Sequence, residues 1–259
     1  MKIALVDSGL GLLAAAAALR RSRPDADLVL SSDPDGMPWG PRTSEDIAAH
    51  ALACALAAAE LEPDALVIAC NTASVHALDV VRAALEPGLP VIGTVPAIKP
   101  ASAGGARVAI WATPATTGSP YQHALIREFG GSATITEVAC PGLADAVERA
   151  DPDAIAAAVA DAAARTPAGI EEIVLGCTHY ELLEEQIRSA VATPGSPPPV
   201  CHGSAGAVAA QALRRVGTGR PEGGGTLTVL HSGRVSSLPP AVLHYPEGRL
   251  LLGARAAAR

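Results

Sequence analysis

The chain of 259 residues has very few aromatic side chains: one Phe, two Trp and three Tyr make up 2% of it. Proteins that hold single-stranded nucleic acid stack its bases on aromatic side chains, so this composition argues against such a role. Hydrophobic residues still make up 49% of the sequence, as in a globular protein. The core is therefore expected to consist of Ala, Val, Leu and Ile.

Positive charge is also scarce. The chain carries 19 Lys and Arg against 26 Asp and Glu, which gives a net charge of −7 at pH 7. An acidic chain without a basic run is a poor binder of phosphate backbones. No nucleic-acid partner is therefore expected.

Long apolar runs are missing as well. The most apolar stretches, such as residues 51–59, fall far short of the roughly 18–20 residues that a bilayer requires. The first apolar run, residues 3–6, ends at Asp7, which does not fit a signal peptide. The five cysteines are an odd number, and reduced thiols in a cytoplasmic protein are the natural interpretation. We expect a cytoplasmic location and no membrane partner.

What the sequence does contain is a series of short apolar runs, each followed by small or polar residues and, in most cases, by a helical pattern. Continuous apolar strands that alternate with helices indicate an α/β fold, in which parallel sheets are covered on both faces. The runs are residues 3–6, 28–30, 65–69, 91–92, 108–111 and 173–175.

The two halves of the chain share one rhythm. Cys70 follows Asp7 by 63 residues, and Cys177 follows Thr113 by 64 residues. This spacing predicts two pseudo-symmetric α/β domains. Pro- and Gly-rich segments place the first domain at residues 1–98 and 204–259, and the second at 99–203.

Cys70 and Cys177 each follow a predicted strand and open a predicted helix. In parallel α/β sheets, ligands bind beyond the carboxyl ends of the strands. A thiol at a helix N-terminus is favoured as thiolate, which acts as a base or nucleophile. Two such thiols suit inversion of a stereocentre, in which one removes a Cα proton and the other returns a proton on the opposite face. Asp7 near Cys70 and His179 near Cys177 are candidates to assist them.

Five motifs then occur in order and at suitable spacing: Asp7-Ser8-Gly9-Leu10-Gly11, Pro38-Trp39-Gly40, Cys70-Asn71-Thr72-Ala73-Ser74, Thr113-Pro114-Ala115-Thr116 and Gly176-Cys177-Thr178-His179-Tyr180. From about residue 3 to 215 the sequence resembles the glutamate racemases of the cofactor-independent aspartate/glutamate racemase superfamily. The resemblance implies two α/β domains with the active site in the cleft between them, and interconversion of L- and D-glutamate without a cofactor or metal. It also implies that the product D-glutamate supplies peptidoglycan, and it leaves a homodimer open.

The same resemblance implies a role for each matching residue. Cys70 and Cys177 are the catalytic thiols, Asp7 and His179 assist them, and Glu148 supports the second side. The residues implied to bind the amino-acid substrate are Ser8, Pro38, Trp39, Gly40, Asn71, Thr72, Thr113, Thr116 and Thr178. The sequence departs from the family pattern in four places: Leu12 replaces a Gly, Trp39 replaces a Tyr, Pro41-Arg42 replaces a small polar residue and a Lys, and Glu181 replaces a Pro.

Other interpretations stay open at this point. Gly9-x-Gly11-x-x-Ala14 after a strand, with Asp33 near the end of the next, also fits a dinucleotide site, and therefore an NAD-dependent oxidoreductase. A non-catalytic amino-acid-binding protein and a racemase of aspartate or another small amino acid are further alternatives. A metal site is the last, formed by Cys177, His179, Cys201 and His202.

Overall fold

The computed structural model describes residues 1–193, 195–217 and 223–253. These residues form two compact units. Unit 1 contains Met1–Val95 and the described residues from Ala205 onward, and unit 2 contains Pro96–Ser204. Of the range 204–259 predicted for the first domain, residues 218–222 and 254–259 lie outside the described part.

The strands of the described residues are β1 (Lys2–Asp7), β2 (Asp27–Ser32), β3 (Ala65–Ile68), β4 (Val91–Ile92), β5 (Arg107–Ala112), β6 (Thr134–Ala139), β7 (Glu172–Leu175), β8 (Val200–His202), β9 (Leu227–His231) and β10 (Arg234–Ser236). The helices are α1 (Leu12–Ser22), α2 (Ser44–Ala59), α3 (Asn71–His76), α4 (Leu78–Leu85), α5 (Ile98–Ala101), α6 (Pro120–Phe129), α7 (Leu143–Glu148), α8 (Pro152–Arg165), α9 (Glu184–Val191), α10 (Ala205–Val216) and α11 (Pro246–Gly253). Short 3-10 helices cover Ala103–Gly105, Thr178–Leu183 and Pro240–His244.

The sheet of unit 1 has the strand order β10-β9-β2-β1-β3-β4 in the described residues. Its strands pair in parallel except for the β9–β10 hairpin at one edge. β9 lies parallel to β2, so a strand from residues 227–231 extends the sheet formed by β1 to β4. The predicted α/β fold with parallel sheets is confirmed.

The central strand β3 and residues 3–6 of β1 are apolar and buried because both faces of the sheet are covered there. Ala4 and Val6 on β1 belong to a core cluster with Ile47 and Ala51 of α2. The alternate residue Leu5 faces the other way and is equally buried. On that side α1 is buried almost all round, because α10 and α11 pack against it.

The sheet of unit 2 has the order β6-β5-β7-β8, and all of its described pairs are parallel. Four neighbouring strands of unit 1, in the order β2-β1-β3-β4, have the same topology. β1, β2, β3 and β4 correspond to β5, β6, β7 and β8 of unit 2. The strand before Asp7 therefore corresponds to the strand before Thr113, and the strand before Cys70 to the strand before Cys177. The shared rhythm of the sequence reflects this repeated topology.

The two helices predicted to open at Cys70 and Cys177 are not continuous α-helices. The helix expected after Cys70 is broken at Ala77, where φ is −122° and ψ is −15°, which separates α3 from α4. The chain after Cys177 first forms a 3-10 helix, and α9 begins only at Glu184. Across the described residues, every helix is too short or too polar to span a bilayer.

Candidate active site

The first group of predicted residues lies at the carboxyl ends of β1 and β3, which are neighbours in the sheet of unit 1. Asp7 is the last residue of β1 and is fully buried. The Ala69 N–H donates to the Val6 carbonyl at 2.8 Å, so Asp7 is level with the residue before Cys70. The Asp7 carboxylate accepts a hydrogen bond from the Ser8 N–H at 2.7 Å. The fold thus places a buried carboxylate at the end of the strand that pairs with the strand before Cys70.

Cys70 joins β3 to α3 in an extended conformation and is 7% exposed. Asn71, also buried, begins the helix, and Thr72 is half-buried. The end of β3 is held by Thr94, whose hydroxyl donates to the Ile68 carbonyl at 2.7 Å. Sequence reasoning did not single out Thr94, although its position directly after the β4 run was visible.

The loop with Pro38, Trp39 and Gly40 leads from β2 to α2. Pro38 is exposed, whereas Trp39 is 1% exposed and belongs to the same core cluster as Cys70. The Trp39 Nε1–H donates to Asp33 Oδ2 at 3.0 Å. Sequence reasoning missed this pair, although an indole N–H that is buried requires an acceptor, and Asp33 lies only six residues earlier.

The second thiol lies in unit 2, where β7 ends beside β5. The Gly176 N–H donates to the Trp111 carbonyl at 2.8 Å, and a Cβ at Gly176 would come within 2.8 Å of that oxygen. Only glycine permits this close approach. Cys177 follows it, half-buried, and opens the 3-10 helix.

A chain of polar contacts leads away from Cys177. Its Sγ lies 3.8 Å from His179 Nδ1, and His179 Nε2 lies 3.1 Å from Glu148 Oε2. The His179 and Glu148 side chains are 9% and 17% exposed. An ionised carboxylate only accepts, so it holds the proton of His179 on Nε2. Nδ1 then faces the thiol as a proton acceptor, which is the arrangement required to form a thiolate.

The remaining predicted residues of unit 2 lie near the ends of β5 and β7. The Thr113 and Thr116 hydroxyls are 3.1 Å apart and share a hydrogen bond, and Thr178 directly after Cys177 is buried. All of the site residues predicted in unit 2 therefore follow strand ends, apart from Glu148 at the end of α7.

The other three cysteines have a different chemical character. Burial raises the pKa of the Cys54, Cys140 and Cys201 thiols to about 12. A thiol with so high a pKa stays protonated at neutral pH and is a poor base. These three thiols are therefore poor candidates for the base that removes a Cα proton.

Two of the family departures have a structural role. Leu12 is the first residue of α1 and is 2% exposed, so its side chain belongs to the core. The Glu181 carboxylate accepts hydrogen bonds from the Ser204 N–H at 2.8 Å and the Ser204 hydroxyl at 2.6 Å. It ties the 3-10 helix after Cys177 to the last residue of unit 2.

The proposed metal ligands do not form a metal site. His179 is paired with Glu148, and His202 lies 2.6 Å from Glu172. Within residues 1–193, 195–217 and 223–253, no three His, Cys, Asp or Glu side chains are grouped to hold a metal ion. The dinucleotide alternative fails for a similar reason, since Asp33, its candidate ribose ligand, is occupied by groups of the protein itself.

The sequence profile of the Asp/Glu/Hydantoin racemase family matches residues 11–211. The chain belongs to this family. Within the family, it is 39% identical over 198 residues to a glutamate racemase of Sphingopyxis alaskensis, which covers 72% of this chain and 73% of that protein. A glutamate racemase of Herpetosiphon aurantiacus is 34% identical over 220 residues, or 82% of this racemase-family chain and 83% of the relative.

Solved structures of the family have the same fold. Escherichia coli glutamate racemase, crystallised with L-glutamate and an activator, superposes with a TM-score of 0.79 at 25% sequence identity. The match covers 99% of this chain and 94% of the Escherichia coli chain.

Proposed function

We propose that this chain is a glutamate racemase that interconverts L- and D-glutamate with two thiols and without a cofactor. The observation that carries the proposal is the matched position of Cys70 and Cys177. Cys70 follows β3, which pairs with β1, and Cys177 follows β7, which pairs with the corresponding strand β5. Asp7 ends β1, and His179 lies 3.8 Å from the Cys177 sulfur. The glutamate racemases among the relatives support glutamate as the substrate.

The proposed reaction moves one proton off the Cα and another onto it. One thiolate takes the Cα proton and becomes a thiol, which leaves the electron pair on the Cα and the substrate carboxylate. The opposite thiol then donates its proton to the other face of the Cα and becomes a thiolate. The substrate is inverted, and the two thiols have exchanged protonation states for the reverse reaction.

The neighbouring residues take roles that follow from their contacts. His179 accepts the Cys177 proton at Nδ1, and the Glu148 carboxylate stabilises the resulting imidazolium. Asp7 serves the Cys70 side. Hydrogen-bonding groups hold the α-amino and α-carboxylate groups of the substrate and stabilise the developing carbanion. We assign this task to Ser8, Asn71, Thr72, Thr113, Thr116 and Thr178.

We further propose that each unit is one racemase domain and that each domain carries one of the two catalytic thiols. All five cysteines are free, and the reaction requires both catalytic thiols to stay reduced. This requirement fits a cytoplasmic enzyme that supplies D-glutamate for peptidoglycan.

The direct test incubates the purified protein with L-glutamate and, separately, with D-glutamate in heavy water without added cofactor. Optical rotation and deuterium at the Cα are followed together. We expect both enantiomers to racemise and the inverted product to carry deuterium, because the returning proton comes from a thiol that has exchanged with solvent. Cys70→Ser and Cys177→Ser are both expected to abolish inversion.

If glutamate is neither inverted nor exchanged but aspartate is inverted, the chain is an aspartate racemase. Neither inversion nor exchange with glutamate, aspartate and the other common amino acids would contradict the racemase proposal. Tight binding of an amino acid without turnover would then favour the binding protein.

A further inference from the structure

Asp33 directly follows β2 and is only 4% exposed, and its carboxylate contacts four polar groups. Its Oδ1 accepts from the Gly36 N–H at 3.2 Å and the Ser232 hydroxyl at 2.8 Å. Its Oδ2 accepts from the Trp39 indole at 3.0 Å and lies 2.8 Å from His50 Nδ1. We call these five residues the Asp33 hub. None of them except Trp39 belongs to the site described so far.

Arg42 adds further hydrogen bonds within the loop between β2 and α2. The Arg42 Nε–H donates to the Gly36 carbonyl at 2.7 Å, and the Arg42 N–H donates to the Trp39 carbonyl at 3.1 Å. Arg42 also pairs with Asp46 in the first turn of α2 at 2.6 Å. The backbone of residues 36–40 is therefore fixed from both sides.

Gly36 shows how tightly the hub is built. A Cβ at this position would overlap Asp33 Oδ2 and the His50 ring. At Gly40, in contrast, a Cβ would meet nothing within 4 Å. The loop thus directs the Trp39 side chain into the core and leaves open space at Gly40.

The hub is also joined to the first half of the candidate active site. The Asp33 N–H donates to the Ser8 carbonyl at 3.1 Å, and the Ser8 N–H donates in turn to the Asp7 carboxylate. Trp39 itself packs in the core cluster that contains Cys70. Asp33 is therefore joined to two parts of the candidate site. Its side chain accepts from the Trp39 indole, and its backbone N–H donates to the Ser8 carbonyl.

We propose that Asp33 is a positioning residue which, through the Trp39 indole and the Gly36 N–H, fixes the backbone of residues 38–40 against the side chain of the substrate. This inference rests on the proposed function, which assigns the α-amino and α-carboxylate groups to other residues and leaves this loop for the side chain. Trp39 stands where the family has Tyr. Its indole side chain serves as an anchor in the core, where its N–H requires Asp33 as acceptor, and only its backbone faces the substrate.

The side chain of the substrate lies away from the reacting Cα, so a contact with it is equally strong in the ground state and the transition state. Loss of such a contact raises KM and leaves kcat unchanged. Trp39→Phe removes the indole donor and keeps an aromatic ring. We expect KM for L-glutamate to rise about 10- to 150-fold, the range for one hydrogen bond to a charged acceptor, with kcat retained. Asp33→Asn, which changes the acceptor of the same hydrogen bond, is expected to raise KM at least as much.

The matched control is Trp111→Phe. Trp111 is the other buried tryptophan, and its indole N–H donates to the Thr166 hydroxyl at 3.0 Å, in unit 2. This variant loses a similar hydrogen bond and is expected to keep both KM and kcat. A second ligand, L-2-aminobutyrate, has the α-groups of glutamate but no side-chain carboxylate. Its inhibition constant is expected to be the same in Trp39→Phe and the unchanged protein.

The proposal is overturned if Trp39→Phe lowers kcat at unchanged KM, or if it weakens L-glutamate and L-2-aminobutyrate alike. Should Trp39→Phe unfold, Gly36→Ala is the second variant, because it disturbs the hub and keeps every hub side chain except the glycine. Its control is Gly206→Ala in α10, where the added Cβ meets nothing within 4 Å. Gly36→Ala with an unchanged KM would also overturn the proposal.

Fluorescence separates this inference from the proposed function. In Trp111→Phe, Trp39 is the remaining tryptophan of the two in the chain. Its emission is expected to change on titration with L-glutamate and to stay constant with L-2-aminobutyrate. A constant emission with bound L-glutamate overturns the role of the hub, whether or not the protein racemises. Absence of turnover with a normal change in emission contradicts the racemase alone.

Discussion

The contact between His179 and Glu148 provides the sharpest test of the Cys177 side. Glu148→Gln keeps the shape of the side chain but removes its charge, and the amide can donate to His179 Nε2, from which the carboxylate accepts at 3.1 Å. The histidine proton would then move to Nδ1, the atom that faces Cys177 at 3.8 Å. In that tautomer His179 cannot accept the thiol proton.

The structure sets the size of the effect. Both side chains are largely buried, and a hydrogen bond to a charged group under such conditions contributes about 1.5–3 kcal/mol. If this energy is lost from the transition state, kcat/KM falls about 10- to 150-fold. The two enantiomers have equal free energies, so kcat/KM must fall equally in both directions.

The asymmetry appears instead in the isotope effects. Glutamate deuterated at the Cα is racemised from each enantiomer, and its rate is compared with that of the protonated substrate. The enantiomer that Cys177 deprotonates is expected to show an increased primary effect. The other enantiomer, whose intermediate Cys177 reprotonates, is expected to lose its effect.

The matched control is Glu137→Gln. Glu137 pairs with His123 at the same distance of 3.1 Å, but this pair lies on the surface of unit 2. It is expected to leave kcat/KM unchanged. An activity of Glu148→Gln within about twofold of the unchanged protein, or equal isotope effects for both enantiomers, would refute the role assigned to Glu148.

Two further predictions concern thiol reactivity and stability. At pH 7.5 a thiol with a pKa of about 12 is far less ionised than an ordinary thiol, which is about a tenth thiolate. Iodoacetamide should therefore modify Cys177 in the native protein and spare the three thiols of raised pKa; peptide mass spectrometry that finds those three modified first would contradict this. Arg20 is buried, and its guanidinium donates to the carbonyls of Pro24, Ala26 and Thr226. Arg20→Met should lower the free energy of unfolding in urea by about 2–5 kcal/mol, because these carbonyls lose their donor. The control is Arg21→Met at an exposed position, which should change the free energy of unfolding little. Equal losses in the two variants would show that the buried hydrogen bonds of Arg20 contribute nothing.

Much of the fold could be predicted because the signals for it are local. A parallel strand that is covered on both faces must be apolar at every position, so β1, β3, β5 and β7 stand out as runs without alternation. Ligand residues follow such strands directly along the chain. The two thiols and Thr113 could therefore be predicted to lie at strand ends before any tertiary structure was known.

The resemblance to the family contributed what local patterns could not. Glu148 lies 31 residues before His179, and no spacing rule connects them. The resemblance implied that Glu148 supports the second side, and the structure shows its contact with His179. The 3-10 geometry after Cys177 was wrongly expected to be an α-helix, since Thr178, His179 and Tyr180 are all buried there and packing overrides the helical pattern.

What the sequence determined by itself is the alternation of strands and helices, the repeated rhythm and the position of each thiol after a strand. Only the tertiary structure decided which distant groups meet. Ser232, 199 residues after Asp33, reaches the same carboxylate as the Trp39 indole, because β9 joins the sheet beside β2. Such contacts depend on the packing of segments that are far apart in the chain, and neither partner carries a local signal for the other.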